Sequence, residues 1–190
     1  MTWFLYMLFK ISLFSGGLVV TMTREDVMKK IMAPFAKILY EAINVYKSEI
    51  DLSSLSEPYK KIVDYHIKQT LMLIIRQTGP LIPPDSSENA KKLFPNVELH
   101  KLQWKTQPYV DKGRKNLIHE HRYPVSDLLS KLLSNDITEE NVLNTLVEQQ
   151  VVWITRDENC KLPKCNRVKD EYKDNKIEII NNNDPAGWLD

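Results

Sequence analysis

The sequence is poor in cysteine, and its net charge is close to zero. Cys160 and Cys165 are the only cysteines among 190 residues. A single C-x4-C pair supplies too few ligands for a structural zinc site and does not indicate a disulfide framework. We therefore expect a reducing, cytoplasmic setting. The net charge of +1 creates no strong overall field, so binding to a polyanion must depend on local patches of charge.

Internal repeats are also absent, which leaves an ordinary globular chain as the simplest interpretation. A hydrophobic fraction of 43% and a charged fraction of 27% are typical of a soluble protein with enough apolar material for a proper core. A chain of 190 residues fits one domain, or one domain with a small appendage.

One long apolar run is present, in residues 3–20. No Lys or Arg precedes this run and Lys10 interrupts it, which argues against a signal peptide. Lys10 and the glycine pair at 16–17 also argue against a membrane span, for which the run is barely long enough. We interpret residues 1–22 as an N-terminal extension, with Met22 as an alternative start. A buried element is the next alternative, and membrane anchoring is not expected.

Residues 23–78 are predicted to form a helical N-terminal region. An apolar period of 3.6 residues indicates a helix over residues 25–47, in which Pro34 is a point of kinking or division. A second helix is predicted over residues 58–77, with His66 on or beside its apolar face. The residues of this second helix that are predicted to point inward are Tyr59, Ile62, Val63, Ile67, Leu71, Ile74 and Ile75.

The second half of the chain is predicted to hold the functional site. The proline-rich segment 79–95 is interpreted as a linker that ends in a short helix. Residues 96–182 form the site region, in which two helical patterns precede a buried β-branched strand at residues 151–155. Residues 183–190 form a tail. The predicted fold class is α+β and mostly helical, with an N-terminal helical pair and a small C-terminal β-α region.

Side chains suited to metal binding and proton transfer concentrate in two stretches of this half. N-L-I-H-E-H-R-Y-P occupies residues 116–124, and V-V-W-I-T-R-D-E-N-C occupies residues 151–160. An imidazole such as that of His121 can deprotonate water near neutral pH, while the carboxylate of Glu120 can hold a divalent cation. Further oxygen ligands are available downstream in Asp157, Glu158 and Asn159.

The motif E-H-R-Y-P, followed by a strand and then D-E-N-C-K-L, resembles the HNH nucleases with the ββα-metal (His-Me finger) fold. The resemblance covers about 45 of the 190 residues and treats the two intervening helical patterns as an insertion. It implies that His121 is the general base and Glu120 the first metal ligand. It also implies Asn159 as the helical metal ligand or structural asparagine, with Glu158 as its substitute. The implied cofactor is Mg²⁺ or Mn²⁺ rather than Zn²⁺.

The corresponding function is a metal-dependent endonuclease that hydrolyses phosphodiester bonds in nucleic acid, with double-stranded DNA as the expected substrate. Such enzymes serve restriction, phage defence or mobile elements, and a homodimer would suit the two-fold symmetry of DNA. Trp104, Tyr109 and Tyr123 interleave with basic residues between positions 101 and 122, a combination that can stack bases and hold phosphates. The residues predicted to contact phosphates are Arg114, Lys115, Arg122 and Lys161.

Other interpretations of the same residues stay open. In a strand, His119 and His121 share one face and Glu120 points the other way, so His121 can be a hydrogen-bonded boundary histidine and Glu120 a surface residue. A transition-metal site built from both histidines and Cys160 or Cys165 is a further alternative. The alternative function is a non-enzymatic, helical nucleic-acid-binding or regulatory interaction protein.

Overall fold

The computed structural model of the protein describes residues 23–134, 136–164 and 171–181. The predicted N-terminal extension and the predicted tail at 183–190 lie outside these residues. Among the described residues, no helix combines the length and the apolar character that crossing a membrane requires.

Two long helices begin the described chain. Helix α1 (Arg24–Ser48) starts at a capping box, in which Thr23 and Asp26 bond reciprocally, and it continues through Pro34 as one helix. Helix α2 (Glu57–Thr78) has Pro58 in its first turn, where a missing N–H costs no helical hydrogen bond. Both helices start and end within one residue of the predicted bounds.

Two shorter helices complete a helical layer, the name used below for α1, α2, α5 (Val125–Ser134) and α6 (Glu139–Glu148). The side chain of Thr138 caps α6 by accepting from the backbone N–H of Asn141. Helix α1 packs against α2 and α6, and α2 packs against α5. The fully buried members of this apolar core include Met32, Ala36, Leu39, Ile43, Ile75, Val142 and Leu146.

The face that α2 turns toward the core differs from the predicted one. Leu71 and Ile75 are buried, as predicted, but Tyr59 is 67% exposed and Ile62 is 52% exposed. His66 is exposed as well. These three predictions were wrong because a 3.6-residue period defines a broad apolar stripe, and only the neighbouring helices decide which edge of that stripe they cover.

A four-stranded sheet forms the second layer, in the order β2–β3–β1–β4. The strands are β1 (Asp85–Ser87), β2 (Leu117–His121), β3 (Val151–Thr155) and β4 (Ile179–Ile180). Strand β3 pairs antiparallel with β2 and parallel with β1, and β1 pairs antiparallel with β4. The mostly helical α+β fold class predicted from the sequence is confirmed.

The segment 79–95, interpreted from the sequence as a linker, holds an interior strand of the sheet. It contains a 3₁₀ turn (Gly79–Leu81), β1 and helix α3 (Glu88–Leu93), which has the predicted bounds. The carboxylate of Asp85, in β1, is buried and lies 2.7 Å from the guanidinium of Arg24 at the start of α1. This ion pair connects the sheet to the helical layer.

Short helical segments flank the sheet. They are α4 (Gln107–Val110), a 3₁₀ turn (Lys112–Arg114), α7 (Arg156–Asn159) and α8 (Glu171–Asp174). One face of the sheet packs Leu117 and Trp153 against Ala90, Leu99 and Leu102. The opposite face is covered by Leu162, Tyr172 and Ile177, which pack on Val152 and Ile154.

Candidate functional site

The two histidines of β2 lie on one face of the sheet, as strand alternation predicts. The ring of His119 contacts that of Trp153 at a centroid distance of 4.5 Å, on the side where Leu117 is buried. Ile118 packs instead against the apolar cluster on the other face. Burial and the neighbouring His121 lower the pKa of His119 to about 4, so its ring is neutral at pH 7.

His121, the predicted general base, is hydrogen-bonded at the end of β2. The side-chain amide of Gln149 approaches its Nδ1 at 3.1 Å, and the carbonyl oxygen of that amide accepts from the hydroxyl of Thr78 at 3.1 Å. Burial, together with the charge of Arg76, lowers the pKa of His121 to about 4. A base with so low a pKa accepts a proton only weakly at neutral pH.

Glu158, a predicted metal ligand, is buried inside a hydrogen-bond network. Its carboxylate accepts from the Thr155 backbone N–H at 2.8 Å and the Thr155 hydroxyl at 3.0 Å, which forms the capping box of α7. It also accepts from the hydroxyl of Ser87 at 2.6 Å and the amide of Asn89 at 2.9 Å. These four hydrogen bonds use most of the acceptor capacity of a carboxylate.

The two halves of the predicted metal site lie at opposite ends of the β2–β3 pair. His121 is opposite Val151, whereas Leu117 is opposite Thr155, after which α7 begins. About 13 Å of extended strand therefore separates His121 from the end that carries Glu158 and Asn159. Oxygen ligands lie within about 2.6 Å of a Mg²⁺ or Ca²⁺ ion, so the structure does not bring these side chains to one ion.

The remaining ligand candidates are also dispersed. Glu120 lies opposite Val152 and is partly buried. Cys160 is exposed just after α7, and Cys165 lies outside the described residues. Within residues 23–134, 136–164 and 171–181, no group of three His, Cys, Asp or Glu side chains is arranged to hold a metal ion.

Basic side chains do converge at the α7 end of the sheet. A groove of about 560 Å³ lies between α3, the start of β2 and α7. We call it the basic groove. Its cationic residues are Lys92, Lys115, Arg156 and Lys161, and it is also lined by Asn89, Asn116, Asp157 and Glu158.

Arg156 is held in place in the basic groove by the backbone of the loop before β2. Its guanidinium donates to the carbonyl of Lys115 at 3.0 Å and to that of Arg114 at 2.9 Å. The backbone N–H of Arg156 donates to the carbonyl of Asn116 at 2.8 Å. These bonds fix the cationic side chain in one position and fasten α7 to the loop.

The same loop carries a stacked pair of side chains. The guanidinium of Arg114 lies 3.8 Å from the ring centroid of Trp104 and donates to the Trp104 carbonyl at 3.0 Å. Gly113 has φ of 73° and Arg114 has φ of 52°, so the backbone turns through the left-handed region here. This turn brings Arg114 back over Trp104 while Lys115 continues toward the basic groove.

Asp111 fixes the base of the loop. Its buried carboxylate accepts from the backbone N–H groups of Leu117 at 2.8 Å and Asn116 at 3.0 Å, and from the amide of Asn116 at 2.9 Å. Burial acts to raise the pKa of Asp111, but these hydrogen bonds outweigh burial and hold the pKa below its usual value. The charged carboxylate therefore anchors the loop at neutral pH.

Of the four residues predicted to contact phosphates, Lys115 and Lys161 line the basic groove and Arg114 adjoins it. Arg122 lies at the other end of β2, where its guanidinium donates to the Gln150 side chain at 3.2 Å. The sequence reasoning missed Lys92 and Arg156. The signal for Arg156 was its position directly after a buried strand, where a side chain emerges at the sheet edge.

No family model, no curated protein and no solved structure matches this chain. The candidate site therefore stands on its own geometry.

Proposed function

We propose that this protein binds nucleic acid, with the phosphate backbone lying along the basic groove. The observation that carries the proposal is the charge balance of the groove. Four cationic side chains line it, whereas one of its two carboxylates, that of Glu158, is buried and occupied by four hydrogen bonds. Asp157 is the exposed acidic residue of the lining. A concave surface with an excess of positive charge concentrates polyanions.

The cations of the groove contribute unequally. Lys92 also pairs with Glu88 at 3.0 Å across an exposed turn of α3, which compensates part of its charge. Lys115 and Lys161 are exposed. Arg156 is already positioned by the loop carbonyls, so little side-chain freedom is lost when it meets a phosphate. We therefore expect Lys115, Arg156 and Lys161 to make the main phosphate contacts.

Exposed aromatic side chains in the chain that leads into the loop before β2 would add base stacking. Trp104 is 45% exposed with Arg114 against its ring, and Tyr109 is 89% exposed. Stacking of bases on such side chains tolerates any sequence, because every base has a π face. This combination favours strands with accessible bases in addition to the double-stranded DNA expected from the sequence.

Hydrolysis of the bound strand is a separate proposal, which rests on the resemblance to the HNH nucleases. It requires His121, Glu120 and Asn159 to act with a divalent ion, but Asn159 lies at the opposite end of the β2–β3 pair from the other two. Nucleic-acid binding is common to the endonuclease and to the non-enzymatic alternative. It can therefore be tested before hydrolysis is considered.

The binding test is fluorescence anisotropy with labelled single-stranded and double-stranded DNA at several salt concentrations. We expect Lys115→Gln to weaken binding about tenfold and to reduce the salt slope by about one, since each phosphate contact releases about one counterion. Lys37→Gln is the matched control, because it removes an equal charge from an exposed position of α1. Equal losses in both variants would assign binding to net charge rather than to the groove. Absence of binding would reject the proposal.

The hydrolysis test is cleavage of plasmid DNA with Mg²⁺ or Mn²⁺ by the parent protein and by His121→Ala, with a thermal melt to confirm that the variant is folded. Cleavage that depends on His121 would support the endonuclease. Undiminished cleavage by His121→Ala would remove this residue from the mechanism. Binding without cleavage would favour the non-enzymatic alternative.

A further inference from the structure

Helix α2 presents large apolar side chains to solvent. Tyr59 is 67% exposed, Ile62 52%, Tyr65 58% and Leu73 52%. The outer face of a helix in a two-layer protein ordinarily carries polar residues. These four side chains expose on the order of 500 Å² of surface per copy, given the size of aromatic and aliphatic side chains. Patches of this size on monomers are often functional.

Six of the exposed residues of α2 follow a heptad spacing. Steps of three and four residues alternate along one face of α2, and each residue in this series is exposed. Such a spacing is the seam of a two-helix coiled coil. We call this face the α2 seam, and it consists of Tyr59, Ile62, His66, Gln69, Leu73 and Arg76.

We propose that the α2 seam pairs with the α2 seam of a second copy of this chain, with the two helices antiparallel about a two-fold axis. In this register Ile62 lies opposite Leu73 of the second copy, and His66 lies opposite Gln69. At the two ends of the interface, Tyr59 lies opposite Arg76. Each layer occurs twice, because a two-fold axis makes the interface self-complementary.

The chemistry of the layers selects the antiparallel direction. A parallel pair would place Arg76 against Arg76 and His66 against His66, which sets like groups together. The antiparallel pair instead places the guanidinium of Arg76 on the ring of Tyr59, a cation–π contact. It also places an imidazole beside a carboxamide, which can donate and accept hydrogen bonds.

Four of the remaining charged residues of α2 form ion pairs within the helix, and the fifth, Lys61, lies beside the seam. Lys68 is 2.8 Å from Asp64, and Lys60 is 3.9 Å from Glu57, so these pairs form within the helix away from the seam. The seam itself carries a cation, Arg76, at one end only. Antiparallel pairing keeps the two Arg76 side chains at opposite ends of the interface, so they do not repel each other. Tyr65 flanks the seam one position before His66, and with it the exposed apolar area is more than half of the about 800 Å² per partner that a standard interface buries.

Sedimentation velocity of the full chain over a wide concentration range tests the proposal. We expect a monomer–dimer equilibrium, and we expect Ile62→Glu to weaken association at least about thirtyfold, since it places a carboxylate against the apolar side chain of Leu73 of the second copy. Lys61→Glu, which puts the same side chain beside the seam, should leave the dimer in place. A protein that stays monomeric, or a dimer that is insensitive to Ile62→Glu, would overturn the proposal.

Cross-linking tests the register independently. In a background of Cys160→Ser and Cys165→Ser, chains with Ile62→Cys and chains with Leu73→Cys should form a disulfide-linked pair when the two are mixed under a mild oxidant. Either variant alone should cross-link at least about tenfold less, because equal positions lie far apart in an antiparallel pair. Preferential linking of Ile62→Cys to itself would overturn the antiparallel arrangement.

Discussion

In the helical layer the buried contacts are made mainly by apolar side chains, whereas in the sheet half several are made by carboxylates and carboxamides. The core of α1 is formed by residues such as Met32, Leu39 and Ile43, each completely buried. The buried Asp, Glu and Gln side chains of the described chain all lie in the sheet half or at its border. They are Asp85, Gln107, Asp111, Gln149 and Glu158.

This difference follows from what each region has to join. Amphipathic helices meet along continuous apolar stripes, so burial of surface is sufficient to hold them. The sheet half connects short strands through loops, whose backbone N–H groups need partners once they are buried. Asp111 and Glu158 supply those partners for the loop before β2 and for the start of α7. The stability of the helical layer therefore rests mainly on burial of complementary apolar surfaces, whereas the sheet half also needs specific hydrogen bonds between polar groups.

The largest effect that tests this comparison is expected in the helical layer. Leu39→Ala should lower the free energy of unfolding by about 2–5 kcal/mol, because it leaves a cavity where the side chain is completely buried. The measurement is chemical denaturation followed by circular dichroism.

Ile38→Ala is the matched control for this substitution, since Ile38 precedes Leu39 in α1 and is 55% exposed. We expect the control to change stability by no more than about 0.5 kcal/mol. Similar losses in both variants would contradict the assignment of the core face of α1.

The local features of the helical layer could be predicted from the sequence. The bounds of α1 and α2 differ from the predicted ones by one residue at each end, because capping residues and a 3.6-residue period are local signals. The outward position of Ile62 could not be predicted in the same way. That position depends on which side of α2 meets α1 and α5, which is a property of the assembled layer.

The arrangement of the candidate site depended on pairings between distant parts of the chain. Strand β1 has the sequence D-S-S, without an apolar signal, and it is a strand because it pairs with residues 152–153 and 179–180. Glu158 follows Thr155 by three residues, which is a local capping-box signal. That signal could have predicted a structural role for this carboxylate. Its bonds to Ser87 and Asn89, about 70 residues away, could not be foreseen.

A second test concerns pH, which should affect the sheet half more than the helical layer. The pKa values of His119 and His121 are lowered to about 4 from 6.5, so the folded protein binds fewer protons than the unfolded chain between these values. The stabilisation from neutral, buried histidines is complete above pH 6.5 and is lost as the pH falls toward 4. We expect a loss of about 1 kcal/mol per histidine by pH 5.5, measured by denaturation at pH 7 and pH 5.5.

Two variants connect this pH dependence to its source. His119→Phe keeps a ring against Trp153 and removes one of the two titrating groups, so it should reduce the pH dependence by about half. His121→Phe removes the other titrating group and should reduce the pH dependence by a similar amount. Asp111, whose pKa is lowered below its usual value, titrates below this window. A parent protein equally stable at both pH values would contradict the burial of the two histidines.

The last test distinguishes a structural carboxylate from a metal ligand. Glu158→Ala should cost about 2 kcal/mol, because it removes a capping box and leaves the buried hydroxyl of Ser87 without this acceptor. Asp157→Ala, at the exposed neighbouring position, should cost less than about 0.5 kcal/mol. If the role of Glu158 is structural, the loss should be the same with and without Mg²⁺ or Mn²⁺. A parent protein that these ions stabilise, with the stabilisation absent in Glu158→Ala, would instead show that the carboxylate leaves its hydrogen-bond network to bind metal. That result would favour the predicted endonuclease over the non-enzymatic alternative. It would also place the metal site at the α7 end of the sheet rather than at His121.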